Sequence, residues 1–227
     1  MLTTLIVLGA IGLALWEWRR GLPTTGAGAS AERHARALRT PLVRLADALG
    51  IKTAAGARAG RFAVAAESEK RSGRVLDQLT REGWAVLHDR QLKNANVDHV
   101  LINPAGDVHV GDTKRWSARD PLTVQGGRLL HGRRDVTHWL DGLKWEAEEV
   151  ARLLGLPKVR VIVFMDGAPL HGPTGRPAAE LRIDGIRIVP AHQATAVLRQ
   201  VARIPGQRSR SHLVALAEQV LPPHTGR

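Results

Sequence analysis

Residues 96–116 read NVDHVLINPAGDVHVGDTKRW, and within them Asp98, Asp112 and Lys114 have the types and spacing to do chemistry. β-Branched and apolar residues lead into Asn103-Pro104-Ala105-Gly106, and a second alternating run leaves through Val108, Val110, Asp112 and Lys114. That is the pattern of a β-hairpin. With Gly106 as the left-handed residue of a short loop, Ile102 faces Val108, Val100 faces Val110 and Asp98 faces Asp112. Lys114 lies two residues past Asp112, so strand alternation brings its ammonium to the face that carries the two carboxylates.

Like charges opposite each other on a sheet repel, and burial adds a desolvation penalty. A divalent cation removes the conflict, and hard oxygen ligands suit Mg²⁺ (or Mn²⁺), with positions left for water and phosphate. A lysine there can act on a water or on the charge that builds on an attacked phosphate. The alternative is a solvated hairpin face on which Asp98 and Asp112 pair with Lys114 or nearby arginines.

The elements that must position these groups follow from periodicity. Residues 64–82 have helical spacing, with Ala65, Glu69, Ser72, Leu76 and Leu79 on the inward stripe and Gly83 as terminator. Glu69 is the one carboxylate on that stripe, either a third metal ligand or an edge residue paired with Lys70 or Arg71. Residues 84–89 (WAVLHD) read as a strand before the hairpin, and the glycine-rich segment from Gln125 as a short hairpin or loop. A second helix spans residues 136–154, with Val136, Trp139, Leu140, Leu143, Ala147, Val150 and Leu154 inward. Glu146, Glu148 and Glu149 then belong to its solvated face. Strands follow at residues 158–165 and 185–189, then helices at 192–203 and 211–221. This order predicts an α/β domain, a mixed β-sheet flanked by helices. His99 and His109 fall on the face opposite the carboxylates, and Trp116 either packs in the core or covers the site and stacks on a base.

The chain has 227 residues and no cysteine, which excludes disulfides and thiolate metal sites. Its net charge of +12 is concentrated in the flanks. Residues 1–60 carry eight Lys/Arg against three acids, residues 61–198 twenty against seventeen, and residues 199–227 five against one. Basicity placed there fits a membrane surface as well as a nucleic acid.

The N-terminus favours a membrane. Residues 2–16 (LTTLIVLGAIGLALW) are uncharged and apolar, followed by Glu17, Trp18, Arg19 and Arg20. Such a run spans roughly 23 Å against a hydrocarbon core of roughly 30 Å, and interfacial Trp16 and Trp18 can extend it. No cleavage signature follows it, so the expectation is an uncleaved transmembrane helix over residues 1–20. Arg19 and Arg20 then place the rest of the chain in the cytoplasm. A soluble packing helix and an interfacial segment are the other readings. Residues 21–29 have linker composition. A helix kinked at Pro41 follows from Ser30, either juxtamembrane or packed on the domain, and residues 51–60 read as a second connection.

The helix AESEKRSGRVLDQLTREGW, the strand WAVLHD, the VDHVLI and PAGDVHVGDTKRW runs and the later VRVIVFM strand resemble the nuclease-related domain (NERD) family. That family is grouped with the restriction-endonuclease-like PD-(D/E)xK superfamily. The resemblance covers residues 61–203, leaving a basic C-terminal helix and tail over residues 204–227. It implies a Mg²⁺-dependent hydrolase of DNA phosphodiesters in which Glu69 is the helix glutamate, Asp98 the first strand acid, and Asp112 and Lys114 the D-x-K pair. Arg115, Arg119, Arg128, Arg133 and Arg134, near the pair in sequence, are the expected phosphate contacts. Two departures from the family pattern stand out: Ser68 precedes the helix glutamate where glycine is frequent, and THWLDGLKWEAEE has no matching glutamine.

Overall fold

Asn103 organises the hairpin turn. In the computed structural model, which describes residues 25–200 and 209–225, its backbone N–H donates to Asp107 O at 3.0 Å. Its side-chain oxygen accepts from the N–H groups of Ala105 and Asp107, and Gly106 takes φ +87°. β1 (Ala85–Gln91), β2 (Asn96–Ile102) and β3 (Val108–Arg115) form an antiparallel meander. Ile102 pairs with Val108 and Val100 with Val110, the expected register, and continuing the ladder sets Asp98 opposite Asp112.

The glycine-rich segment is more than a hairpin. β4 (Leu122–Gln125), β5 (Arg128–His131) and β6 (Arg134–Asp135) make a separate three-stranded antiparallel sheet. In the main sheet β7 (Arg160–Asp166) runs parallel to β3, and β9 (Ile186–Pro190) runs parallel to β7. β8 (Leu181–Ile183), a strand too short to show in the pattern, closes the edge antiparallel to β9. The six strands lie in the order β1-β2-β3-β7-β9-β8, a mixed sheet as the sequence predicts.

Helices cover both faces. α1 (Ala29–Leu38) and α2 (Pro41–Ala48) precede α3 (Ala54–Leu76), which tightens into a 3₁₀ turn (Asp77–Glu82) and stops at Gly83, φ +80°. α3 begins ten residues earlier than the apolar stripe suggests, because residues 51–60 are mostly helix rather than a connection. Alanine is the best helix former, and the Thr53 side chain caps the start by accepting from Gly56 N at 3.0 Å. Ala59 is fully buried. At Gly28 a Cβ would meet Ala66 O at 2.5 Å, so only glycine lets α1 start against α3.

One apolar cluster, with Leu76, Leu79, Leu101, Ile162 and Phe164, fills the α3 side of the sheet. The larger one joins Val100, Val110 and Val163 to Leu140, Leu143 and Val150 of α4 (Trp139–Leu154). A short 3₁₀ turn (Ala191–Gln193) leads into α5 (Ala194–Arg199), and α6 (Arg210–Val220) buries Leu213 and Ala217. α2 and its C-terminal cap leave Leu42, Leu45 and Leu49 between 58% and 78% exposed. Among the described residues no helix is long and apolar enough to cross a membrane, and the span expected over residues 1–20 lies outside them.

Candidate active site

Asp98 and Asp112 come from adjacent strands, and the backbone N–H of Thr113 donates to Asp98 Oδ2 at 2.9 Å. Lys114 Nζ donates to Asp112 Oδ1 at 2.6 Å and sits 5.1 Å from the centre of the Trp139 ring. The other oxygen of Asp112 is buried without a hydrogen-bond partner. A buried carboxylate oxygen with no donor is costly, and a bound cation would satisfy it.

Glu69 is buried on α3, facing the same group. Burial, then the charges of Asp98 and Asp112, push its carboxyl up to about 9. Asp98 is pushed up to about 7 by burial and Asp112, against the pull of Lys114 and the Thr113 N–H. Burial alone would lower Lys114, but Asp112 and Asp98 outweigh it and hold the ammonium above its ordinary value. Lys114 is therefore a fixed cation, suited to stabilising negative charge rather than to taking a proton.

Glu146 belongs to the same group, against the expectation that it lies on a solvated face. It is partly buried, and burial, then Asp112 and Asp98, raise its carboxyl to about 8. The signal was in the spacing: Glu146 is seven residues after Trp139 and shares its stripe on α4. Trp139 itself is 38% exposed rather than inward.

Asp89 was also missed. Its position on β1 continues the ladder opposite Asp98, but it adopts φ +48°, and its carboxylate accepts from Ser30 N at 2.8 Å and Asn96 Nδ2 at 3.0 Å. Its charge still adds to the upward shifts of Glu69 and Asp98. A second clamp holds the other side of α3. Ser68 Oγ donates to Asp166 Oδ2 at 2.7 Å, and Arg71 and Arg115 pair with the same carboxylate. Arg115 is thus turned to the face away from Lys114, while Arg119, Arg128, Arg133 and Arg134 are exposed. A cavity of about 520 Å³ beyond this clamp is lined by Ser68, Arg71, Asp166 and His192 but by none of the four central residues.

Behind the acids lies a chain of hydrogen bonds. Asp77 Oδ1 meets His88 Nε2 at 3.0 Å, His88 Nδ1 meets His99 Nδ1 at 2.8 Å, and His99 Nε2 meets Thr113 Oγ1 at 3.1 Å. Since a carboxylate only accepts, neutral rings require Thr113 to donate to His99, His99 to His88, and His88 to Asp77. His99 and His109 do lie on the face opposite the acids. Burial, then His88, holds His99 well below the ordinary imidazole range, and burial, then Arg160, lowers His109 to about 4.

Among the described residues no three His, Asp or Glu side chains gather into a group that could hold a metal ion. Glu69 is not drawn together with Asp98 and Asp112 into a ready triad. Mg²⁺ needs only one or two carboxylates, and the unpartnered Asp112 oxygen beside Asp98 on the adjacent strand fits that demand.

The fold and the site together define an α/β domain with clustered acids and one fixed lysine at the end of a mixed sheet. Residues 65–165 match the model of the nuclease-related domain, so this part of the chain is similar to that family. No curated protein and no solved structure matches the chain.

Proposed function

We propose that this chain is a membrane-tethered nuclease of the PD-(D/E)xK type that hydrolyses DNA phosphodiester bonds with Mg²⁺ or Mn²⁺. The observation that carries this reading is the ion pair of Lys114 with Asp112 opposite Asp98, with one Asp112 oxygen buried and unpartnered. Asp98 and Asp112 would hold the cation, which when bound supplies Lewis-acid stabilisation of the phosphate and makes water a better nucleophile. Lys114 offsets the charge that builds on the attacked phosphate. Glu69 and Glu146, whose carboxyls burial and the neighbouring acids push up to about 9 and 8, hold a proton near neutral pH that one of them could give to the departing oxygen. In the overall reaction water adds to phosphorus, the phosphorus–oxygen ester bond breaks, and the departing oxygen gains a proton.

The tether is residues 1–20, with the domain on the cytoplasmic side. The exposed leucines of α2, beside Arg39 and Arg44, suit the same surface. A second reading is favoured by the absence of a three-ligand group among the described residues: a catalytically silent domain that binds nucleic acid or a protein at the membrane. Detergent-solubilised full chain incubated with plasmid or with circular single-stranded DNA, and Mg²⁺ or Mn²⁺, separates the two. The nuclease reading expects nicking or linearisation that Lys114→Ala abolishes in a folded protein. Cleavage that survives the substitution, or no cleavage by the parent protein, removes it.

A further inference from the structure

We infer that Trp139 and Trp145 form a stacking shelf for unpaired nucleobases, so that the strand reaching the acids is single-stranded. This rests on the nucleic-acid reading above and narrows its substrate class.

Trp139 and Trp145 are large apolar side chains left 38% and 41% exposed on one helix. Between them stands Gly142, where an added Cβ would meet nothing within 4 Å. Around α4, at about 3.6 residues per turn, Trp139 and Trp145 stand about 120° apart, with Glu146 and Gly142 on the arc between them. The arc between the two rings is open at Gly142, and Glu146, next to Trp139 on it, connects it to the acids.

Two contacts orient it. Trp116 meets Trp139 edge-to-face at 4.6 Å between ring centres, and His131 packs on Trp116 at 5.3 Å. Lys114 Nζ, the ammonium that pairs with Asp112, stands over the Trp139 ring. One ring thus borders the cation meant for phosphate and also offers surface to solvent. A nucleotide supplies both matching parts: a phosphate for Lys114 and a flat aromatic base for Trp139.

The surrounding charge agrees. Exposed Arg128 and Arg134 lie on the small sheet that His131 joins to Trp116, and exposed Arg133 sits in its turn. Carboxylates in the centre would repel a phosphate backbone unless basic groups compensate, and the small sheet carries these exposed arginines, Arg128 beside Asp135 at 3.8 Å. A stacked duplex keeps its base faces covered, so a shelf of this kind rewards strands whose bases are free.

Binding is measured by fluorescence anisotropy with the full chain in detergent micelles and EDTA, which uncouples it from turnover. The probes are a labelled oligothymidylate of about twelve nucleotides and the matching duplex. The parent protein is expected to bind the single strand about tenfold more tightly than the duplex. Trp139→Ala should weaken single-strand binding about tenfold and Trp145→Ala less, while Trp139→Phe, which keeps a ring, recovers most of the loss. Equal affinity for both probes, or unchanged affinity in folded Trp139→Ala and Trp145→Ala, overturns the inference even if plasmid cleavage is intact. Loss of binding to anionic phosphatidylserine vesicles in place of oligonucleotide also overturns it, by assigning the shelf to lipid. Single-strand preference without any cleavage leaves the shelf standing and removes the nuclease.

Discussion

The N–H of Thr113 holds Asp98 Oδ2 at 2.9 Å while the hydroxyl of the same residue bonds His99 Nε2 at 3.1 Å. One residue between Asp112 and Lys114 thus links the acids on one face of the sheet to the histidine chain on the other. Thr113→Val keeps the shape and the N–H but leaves His99 Nε2 buried without a donor. An unsatisfied buried polar atom costs about 1–3 kcal/mol. The expected result is a melting temperature lower by several degrees, with His99→Phe plus Thr113→Val recovering part of the loss. A Thr113→Val variant as stable as the parent would show that the hydrogen bond carries no weight.

The acids predict how stability varies with pH. Glu69, Asp98 and Glu146 stand at about 9, 7 and 8, above the ordinary carboxyl values of 4.5, 3.8 and 4.5. Between those limits the folded chain binds more protons than the unfolded chain, so stability falls as pH rises. The penalty is absent below the unfolded values and complete above the folded ones. In EDTA, Glu69→Gln should therefore lose less melting temperature than the parent between pH 6 and pH 9, by a few degrees for about 1 kcal/mol. Mg²⁺ should raise the melting temperature more at pH 8 than at pH 6, since deprotonated acids bind it better. Parallel melting curves for parent and variant across this range would contradict the burial of Glu69 beside Asp98 and Asp112.

Lys114 neutralises more than its partner. Removing one member of a buried pair leaves the other charge uncompensated, typically at a cost of about 3 kcal/mol. Lys114→Met keeps much of the stem that packs against Trp139 yet strands Asp112. It is expected to be inactive, to unfold at lower denaturant in EDTA at pH 8, and to recover stability at pH 5 as the acids take up protons. Lys114→Arg should hold stability but lose most activity, because a planar guanidinium does not replace a compact ammonium. Full activity in Lys114→Arg would mean that charge alone suffices.

The hairpin was legible because its turn chemistry and its alternation agree: Asn103 and Gly106 set the loop, and the register follows from it. The inward face of α3 was legible from Glu69 to Leu79, where leucines mark it. Its first ten residues were not, since alanine and glycine carry no amphipathic signal and what fixes them is close packing against α1. Glu146 was hidden beside Glu148 and Glu149, with only its spacing from Trp139 to separate it. The side-chain direction of Asp89 could not be read from alternation, because a left-handed residue breaks the alternation.

Asp89 gives the last test, one of strain against capping. A non-glycine residue at φ +48° is tolerated best when it is Asn or Asp, whose side chain can bond locally. Here the carboxylate accepts from the Ser30 N–H in the first turn of α1 and from Asn96, with Arg33 at 3.4 Å. It therefore ties α1 to the edge of the main sheet and, through Asn96, to the start of the strand that carries Asp98. Asp89→Ala loses the cap and keeps the strain, so it should destabilise by about 2 kcal/mol. Asp89→Gly loses the cap but relieves the strain, and Asp89→Asn keeps a capping oxygen and tolerates the conformation while losing the charge that faces Arg33. The expected order in urea midpoints is parent, then Asn, then Gly, then Ala. Hydrogen exchange of the α1 amides should rise in the same order, and an Ala variant as stable as Asn would mean that α1 is held by its packing on α3 alone.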